Sequence, residues 1–160
     1  MRSASTAPVV VGVDGSSAAE RALRWAMDEA MLRRCAVYVV NAWDYEPLAD
    51  RAETAEREAR TRSEALVETA LRSAAVGRQE FPEIVRHCRR GRAEEVLEGT
   101  ARDAVLLVVG SHTGHRLRDV VLGSTSAHCV QHSAVPVVVI PAQDAQLNHI
   151  AGATAQGANR

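Results

Sequence analysis

Short apolar runs alternate along the chain with longer segments in which apolar positions recur every three or four residues. Val9 to Val13 is a β-branched run that closes on the turn formers Gly12-Val13-Asp14-Gly15-Ser16, predicting a strand and then a sharp turn. Ser17-Ala18-Ala19-Glu20 has capping-box spacing, with Ser17 set to hold an early helical N–H and Glu20 to reach back. Ala19, Ala22, Leu23, Ala26, Met27 and Ala30 then mark one face of a helix running to Arg33. A second strand is expected over Ala36 to Ala42, followed by a Pro47-containing loop from Trp43 to Asp50. From Ala49 to Ala75 the composition turns to Glu, Arg and Ala at helical spacing, with pairs such as Glu53 with Arg57 and Glu58 with Arg62. This reads as a solvated amphipathic helix.

The second half repeats the rhythm. Phe81 to His87 reads as a more polar strand suited to a sheet edge, and Gly91 separates it from a short helix over Ala93 to Ala101. Ala104 to Val109 lacks alternation, as a strand covered by helices on both faces must. A loop rich in Gly, His and Arg follows from Gly110 to Gly123, then a helix from Ser124 to His132. Val137 to Ile140, bracketed by Pro136 and Pro141, is a fifth strand at an edge or interface. The expected organisation is a flexible stretch over residues 1–7, one domain over 8–141, and a disordered tail over 142–160. Strands alternating with helices imply an α/β fold with right-handed crossovers and a parallel sheet covered on both faces. Ligands of such sheets bind at the carboxyl ends of the strands, where the strand order reverses. With the first strand central, the turns after the first and fourth strands form that crevice.

Composition narrows the chemistry. All 19 residues counted as Lys or Arg are Arg, which excludes a Walker-type phosphate loop and a Schiff-base lysine. The aromatic residues Trp25, Tyr38, Trp43, Tyr45 and Phe81 are scattered through a chain of net charge -1, which offers no stacking platform for nucleic acid. The longest apolar runs, Ala104 to Val109 and Val135 to Ile140, fall far short of the ~20 residues that span a bilayer, and no signal-peptide core precedes Pro8. Cys35, Cys88 and Cys129 are odd in number and far apart, which fits a reducing cytoplasm better than a disulfide framework.

The most informative stretch is Val109-Gly110-Ser111-His112-Thr113-Gly114-His115-Arg116, followed by Leu117 to Leu122 and Gly123-Ser124-Thr125-Ser126. A loop between a strand end and a helix start presents unpaired N–H groups, and the helix macrodipole favours an anion there. Glycine allows close approach, the hydroxyls of Ser124, Thr125 and Ser126 add donors, and His115 or Arg116 can add charge. This is a phosphate site built without lysine. The alternative is ordinary boundary chemistry, with Gly110 as a turn residue and Ser124 or Ser126 as an N-cap.

Three stretches together resemble the universal stress protein family over residues 8 to 141. They are Val9-Val10-Val11-Gly12-Val13-Asp14-Gly15-Ser16, then Leu106-Leu107-Val108-Val109-Gly110-Ser111-His112, then Leu122-Gly123-Ser124-Thr125-Ser126 leading into Val135-Pro136-Val137-Val138-Val139-Ile140. The resemblance implies a five-stranded, Rossmann-like parallel sheet of the adenine nucleotide alpha hydrolase-like kind, with strand order 3-2-1-4-5. It also implies an ATP site: Gly12, Val13 and Asp14 at the first turn, with Asp14 near the adenosine or an associated Mg ion. Val40, Asn41 and Ala42 would lie along the adenine, Asn41 in a structural role. Gly110, Ser111, His112, Thr113, Gly114, His115 and Arg116 would hold ribose and phosphates together with Gly123, Ser124, Thr125 and Ser126. The family's ATP-binding branch carries Gly, two residues, Gly, nine residues, Gly, then Ser or Thr. Here Gly110, Gly123 and Ser124 keep the pattern, while Thr113 stands at the second Gly and Gly114 follows one residue later. A Cβ at that position opposes a left-handed backbone or close phosphate approach, and Gly114 offers a shifted turn.

His128 and His132, four apart on a helix, raise a metal site, but the intervening Glu of a zinc protease is absent. No Gly-x-Ser-x-Gly elbow supports a serine hydrolase, and a lone Asp14 without lysine does not suit a phosphoacceptor receiver. The expected function is an ATP-binding regulator or sensor of stress response, acting as a homodimer through the fifth strand, with hydrolysis at most slow. The alternative is a dimeric interaction module of the same fold that binds no nucleotide.

Overall fold

The computed structural model describes residues 7–45, 52–111 and 122–142. Nine elements follow in order: β1 (Val9–Gly12), α1 (Ser17–Arg33), β2 (Val37–Trp43), α2 (Ala52–Ala75), β3 (Ile84–Arg90), α3 (Ala93–Ala101), β4 (Leu106–Gly110), α4 (Ser124–His132) and β5 (Val137–Ile140). The strands form one sheet in the order β3-β2-β1-β4-β5, every neighbouring pair parallel. The strand order therefore reverses between β1 and β4, as expected from the sequence.

Period-2 alternation of buried strand residues divides the core in two. Val9, Val11, Val37, Val39, Leu106 and Val108 face α1 and α2, where they meet Leu23, Met27, Val67 and Leu71. Val10, Val40, Leu107 and Val109 face the other way, onto Leu97, Ala101 and Cys129 of α3 and α4. Four successive buried residues in β4, Leu106 to Val109, explain why its sequence shows no polar alternation. The two layers bury many small side chains, so strands and helices approach closely without large aromatics in the core. On the far side from the site, Arg24 donates to the Ser73 carbonyl and Arg78 to the Arg24 carbonyl at 2.9 Å, tying α1 to the end of α2.

Several local bounds shift: β2 runs Val37–Trp43 instead of Ala36 to Ala42, and β4 runs Leu106–Gly110 instead of Ala104 to Val109, because the parallel pairing with the neighbouring strands sets the ends. The N-cap of α1 is Ser16, not Ser17: Ser16 is extended and its side chain accepts from the Ala19 N–H at 3.1 Å. Gly15, at φ +84, turns the chain one residue earlier than a capping box on Ser17 requires. Glu20 consequently faces Arg24 across one helical turn, at 3.5 Å. The third strand runs Ile84–Arg90 instead of Phe81 to His87, because the register that buries its apolar face pairs Ile84 with Val37 and leaves Phe81 exposed. It is an edge strand, as its polarity predicts, and β5 is the other edge.

Candidate functional site

A crevice of about 340 Å³ opens at the carboxyl ends of β1 and β4. Its first wall is the end of β1 and the following turn, Gly12, Val13 and Asp14, with Ser16 and Ala19 from the start of α1. Val40, Asn41 and Ala42 at the end of β2 form the second wall, and Ala93 and Leu97 of α3 close it from above that sheet face. Val109 and Gly110 of β4 and Gly123, Ser124, Thr125 and Ser126 at the start of α4 complete it. The predicted residues from β1, β2, β4 and α4 thus come together in one cavity. His112, Thr113, Gly114, His115 and Arg116 lie outside the described residues.

Ser111 departs from this set. It is fully buried beside the crevice, its N–H donates to the Ile140 carbonyl at 2.9 Å, and its hydroxyl has no partner among the described residues. Conversely, Ser16, Ala19, Ala93, Leu97 and Val109 line the cavity although the resemblance assigns them no role. Ser16 was legible as part of the first turn. Leu97 was not, since only the crossover of α3 above β1 and β2 brings it there.

The glycines have different jobs. A Cβ on Gly110 would lie 2.7 Å from the carbonyl carbon of Ala18 and 2.8 Å from the Ala19 nitrogen, so the absent side chain admits the first turn of α1. That close approach is made by the protein's own backbone, a reason for glycine distinct from phosphate access. A Cβ on Gly12 would meet the Leu97 side chain at 3.1 Å. Gly123 is the N-cap of α4 in an extended conformation, φ -62 and ψ 165, that any residue can adopt.

The polar groups are similarly divided. Ser126 donates its hydroxyl to the Gly110 carbonyl at 2.8 Å, fastening the start of α4 to the end of β4. The hydroxyls of Ser124 and Thr125 make no such bond among the described residues, and no side chain caps α4. The first backbone bond of that helix is made by the Ala127 N–H to the Gly123 carbonyl at 2.9 Å, leaving the N–H groups of Ser124, Thr125 and Ser126 ahead of the ladder. The first turn of α3 carries a carboxylate: the backbone N–H of Glu94, together with Arg92 at 2.5 Å, holds the Glu94 carboxyl below its usual range. The first turn of α4 carries no acidic residue. Of these two helix starts, α4 is the one open to an external anion.

Asp14 sits exposed at the mouth and accepts from the Ser16 N–H at 2.9 Å, an Asx-turn that shapes the first loop. Asn41 is 8% exposed and donates to the Val13 carbonyl at 2.7 Å, in the structural role expected of it. Its oxygen accepts from the buried Ser63 hydroxyl of α2 at 2.6 Å. Away from the cavity, His128 lies 3.5 Å from Glu98 and stacks on His132 with ring centroids 4.2 Å apart. Among the described residues, no group of three or more His, Cys, Asp or Glu is arranged to hold a metal ion.

Fold and cavity define a doubly wound α/β protein with a small-ligand crevice at its topological switch point, apolar along the walls and open to an anion at one helix start. Residues 6–141 match the universal stress protein family, and the chain belongs to that family. A universal stress protein of Mycolicibacterium smegmatis is 33% identical over 142 residues, covering 85% of this chain and 46% of the relative. The chain spans about half the length of the curated relatives it matches. Among solved structures, the universal stress protein from Archaeoglobus fulgidus in complex with dAMP is similar, at 25% identity and TM-score 0.52, with 84% of this chain and 97% of that one covered. A universal stress protein family protein from Arabidopsis thaliana with AMP bound shares the fold at 20% identity and TM-score 0.61, covering 88% and 94% of the two chains.

Proposed function

We propose that this protein binds ATP in the β1/β4 crevice and acts as a nucleotide-dependent regulator or sensor in stress response. The observation that carries the reading is the uncapped start of α4, free of acidic residues and facing a largely apolar cavity. An adenosine fits the apolar portion, against Val40, Ala42 and Leu97, and the phosphates meet the N–H groups and hydroxyls of Ser124 and Thr125. Asp14, at the mouth, would orient the ribose or help hold a Mg ion, which would supply positive charge to offset that of the phosphates. The family and the nucleotides bound by its structural relatives support an adenine nucleotide as the ligand class. The proposed role is binding, with hydrolysis slow at most.

Two assignments accompany this reading. The free thiols of Cys35, Cys88 and Cys129 suit a reducing cytoplasm. Among the described residues no helix is long and apolar enough to cross a membrane. The β5 edge, four half-buried aliphatic residues in a row, favours a homodimer formed edge to edge. Calorimetric titration with Mg-ATP and native mass spectrometry of the purified protein test the assignment. A saturable signal and co-purified adenine nucleotide are expected. Absence of both overturns it and leaves the dimeric interaction module.

A further inference from the structure

The cavity and the buried face of α2 are joined by three groups in series. Ser63 is 3% exposed on α2, and its hydroxyl donates to Asn41 Oδ1 at 2.6 Å. Asn41 Nδ2 donates in turn to the Val13 carbonyl at 2.7 Å. Val13 is the last residue before the Asp14-Gly15-Ser16 turn, and both Val13 and Asn41 line the crevice. The Val13 N–H is held separately, by the Val40 carbonyl at 2.9 Å. Its peptide groups are therefore fixed on one side by the sheet and on the other by Asn41. Removing Ser63 leaves a buried amide oxygen without its donor and weakens the hold of the amide on the Val13 carbonyl.

We propose that Ser63 is a positioning residue for the crevice, acting through Asn41 to fix the Val13 carbonyl and with it the turn that presents Asp14. Displacement of α2 at Ser63 then alters the ligand site without any contact between α2 and ligand. The effect on affinity rests on the nucleotide reading above; the effect on the turn does not.

The test compares Ser63→Ala with Val67→Ala, a residue equally buried one helical turn along α2 and outside this hydrogen-bond series. Amide exchange of Ser16 is measured in the nucleotide-free protein, and Mg-ATP affinity by calorimetry. Ser16 lies in a surface turn and exchanges through local opening, so general destabilisation leaves its rate unchanged. Ser63→Ala is expected to accelerate Ser16 exchange about tenfold and to weaken Mg-ATP by a similar factor, as loss of one buried hydrogen bond implies. Val67→Ala is expected to leave both at the wild-type value.

The double variant Ser63→Ala with Asn41→Leu removes both side-chain partners, exchanges the orphaned amide oxygen for a Val13 carbonyl without its donor, and gives a second comparison should the single variant fail to fold. It is expected to loosen the turn as well. Wild-type Ser16 exchange in the folded variants, or equal acceleration by Val67→Ala, overturns the proposal. Failure of the wild-type protein to bind Mg-ATP overturns the nucleotide reading, while the exchange rates still decide this one.

Discussion

Gly110 lies against the backbone of Ala18 so closely that a Cβ atom on it would sit 2.7 Å from the Ala18 carbonyl carbon. The end of β4 and the first turn of α1 are thereby locked together directly below the crevice. No flexible side chain stands between them to absorb a larger residue.

Gly110→Ala should therefore destabilise the fold at or above the upper end of the ~1–3 kcal/mol typical of overpacking. Gly99, in α3, has nothing within 4 Å of its virtual Cβ. Gly99→Ala should stabilise by about 0.5–1 kcal/mol through the lower backbone entropy of the unfolded chain. Urea denaturation of the two variants checks both signs. Equal behaviour would show that the Gly110 contact relaxes freely.

Ser126 fastens α4 to the Gly110 carbonyl from a buried position. Ser126→Ala is expected to cost about 1–3 kcal/mol, because the carbonyl is left without its donor. It should also weaken Mg-ATP severalfold, since the helix start loses its anchor. Denaturation and calorimetry on the same preparation measure the two effects. Undiminished stability would mean that water replaces the hydroxyl without loss.

Gly123 is required by neither backbone strain nor a side-chain cap. Gly123→Val should accordingly leave the protein folded, with a modest change in thermal midpoint, while its branched side chain blocks the N–H groups of the first turn of α4. An affinity loss for Mg-ATP of at least about tenfold, the equivalent of ~1.4 kcal/mol, is expected. Unchanged affinity would move the phosphates away from α4.

Much of this architecture is legible because each element carries its own local signal. The α3 and α4 helices and β5 lie within the bounds that their periodicity predicts. The β1/β4 crevice follows from alternation of strands and helices together with the turn residues after each strand. The misplacement of β3 has a physical cause: Phe81 and Pro82 extend the apolar run, whereas pairing with β2 selects Ile84 as the first partner. The N-cap shift from Ser17 to Ser16 likewise depends on the positive φ of Gly15, which two adjacent serines do not encode. At the site, the sequence signals glycine at position 110 but not that α1 fills the space beside it. Leu97 and the Ser63–Asn41 bond arise from long-range packing and have no local pattern.

Cys129 supplies the pH dependence. Burial, reinforced by the Glu94 and Glu98 carboxylates, pushes its thiol from the ordinary 9.0 up to about 11. The folded state therefore keeps its proton where the unfolded chain has released it. This contribution to stability is full below about pH 9 and is lost as pH rises from there to about 11. Denaturation midpoints of wild type and Cys129→Ala, measured from pH 8 to 10, should converge as pH rises, because only the wild type carries this buried thiol. Labelling gives a second readout. Cys35 and Cys129 are buried, whereas Cys88 is only half-buried on the β3 edge. Iodoacetamide at pH 8 should add one adduct to the native protein, at Cys88, and three after denaturation. Rapid native modification of Cys129 would show that α4 opens from the sheet far more often than its packing against Leu97 and Leu107 allows.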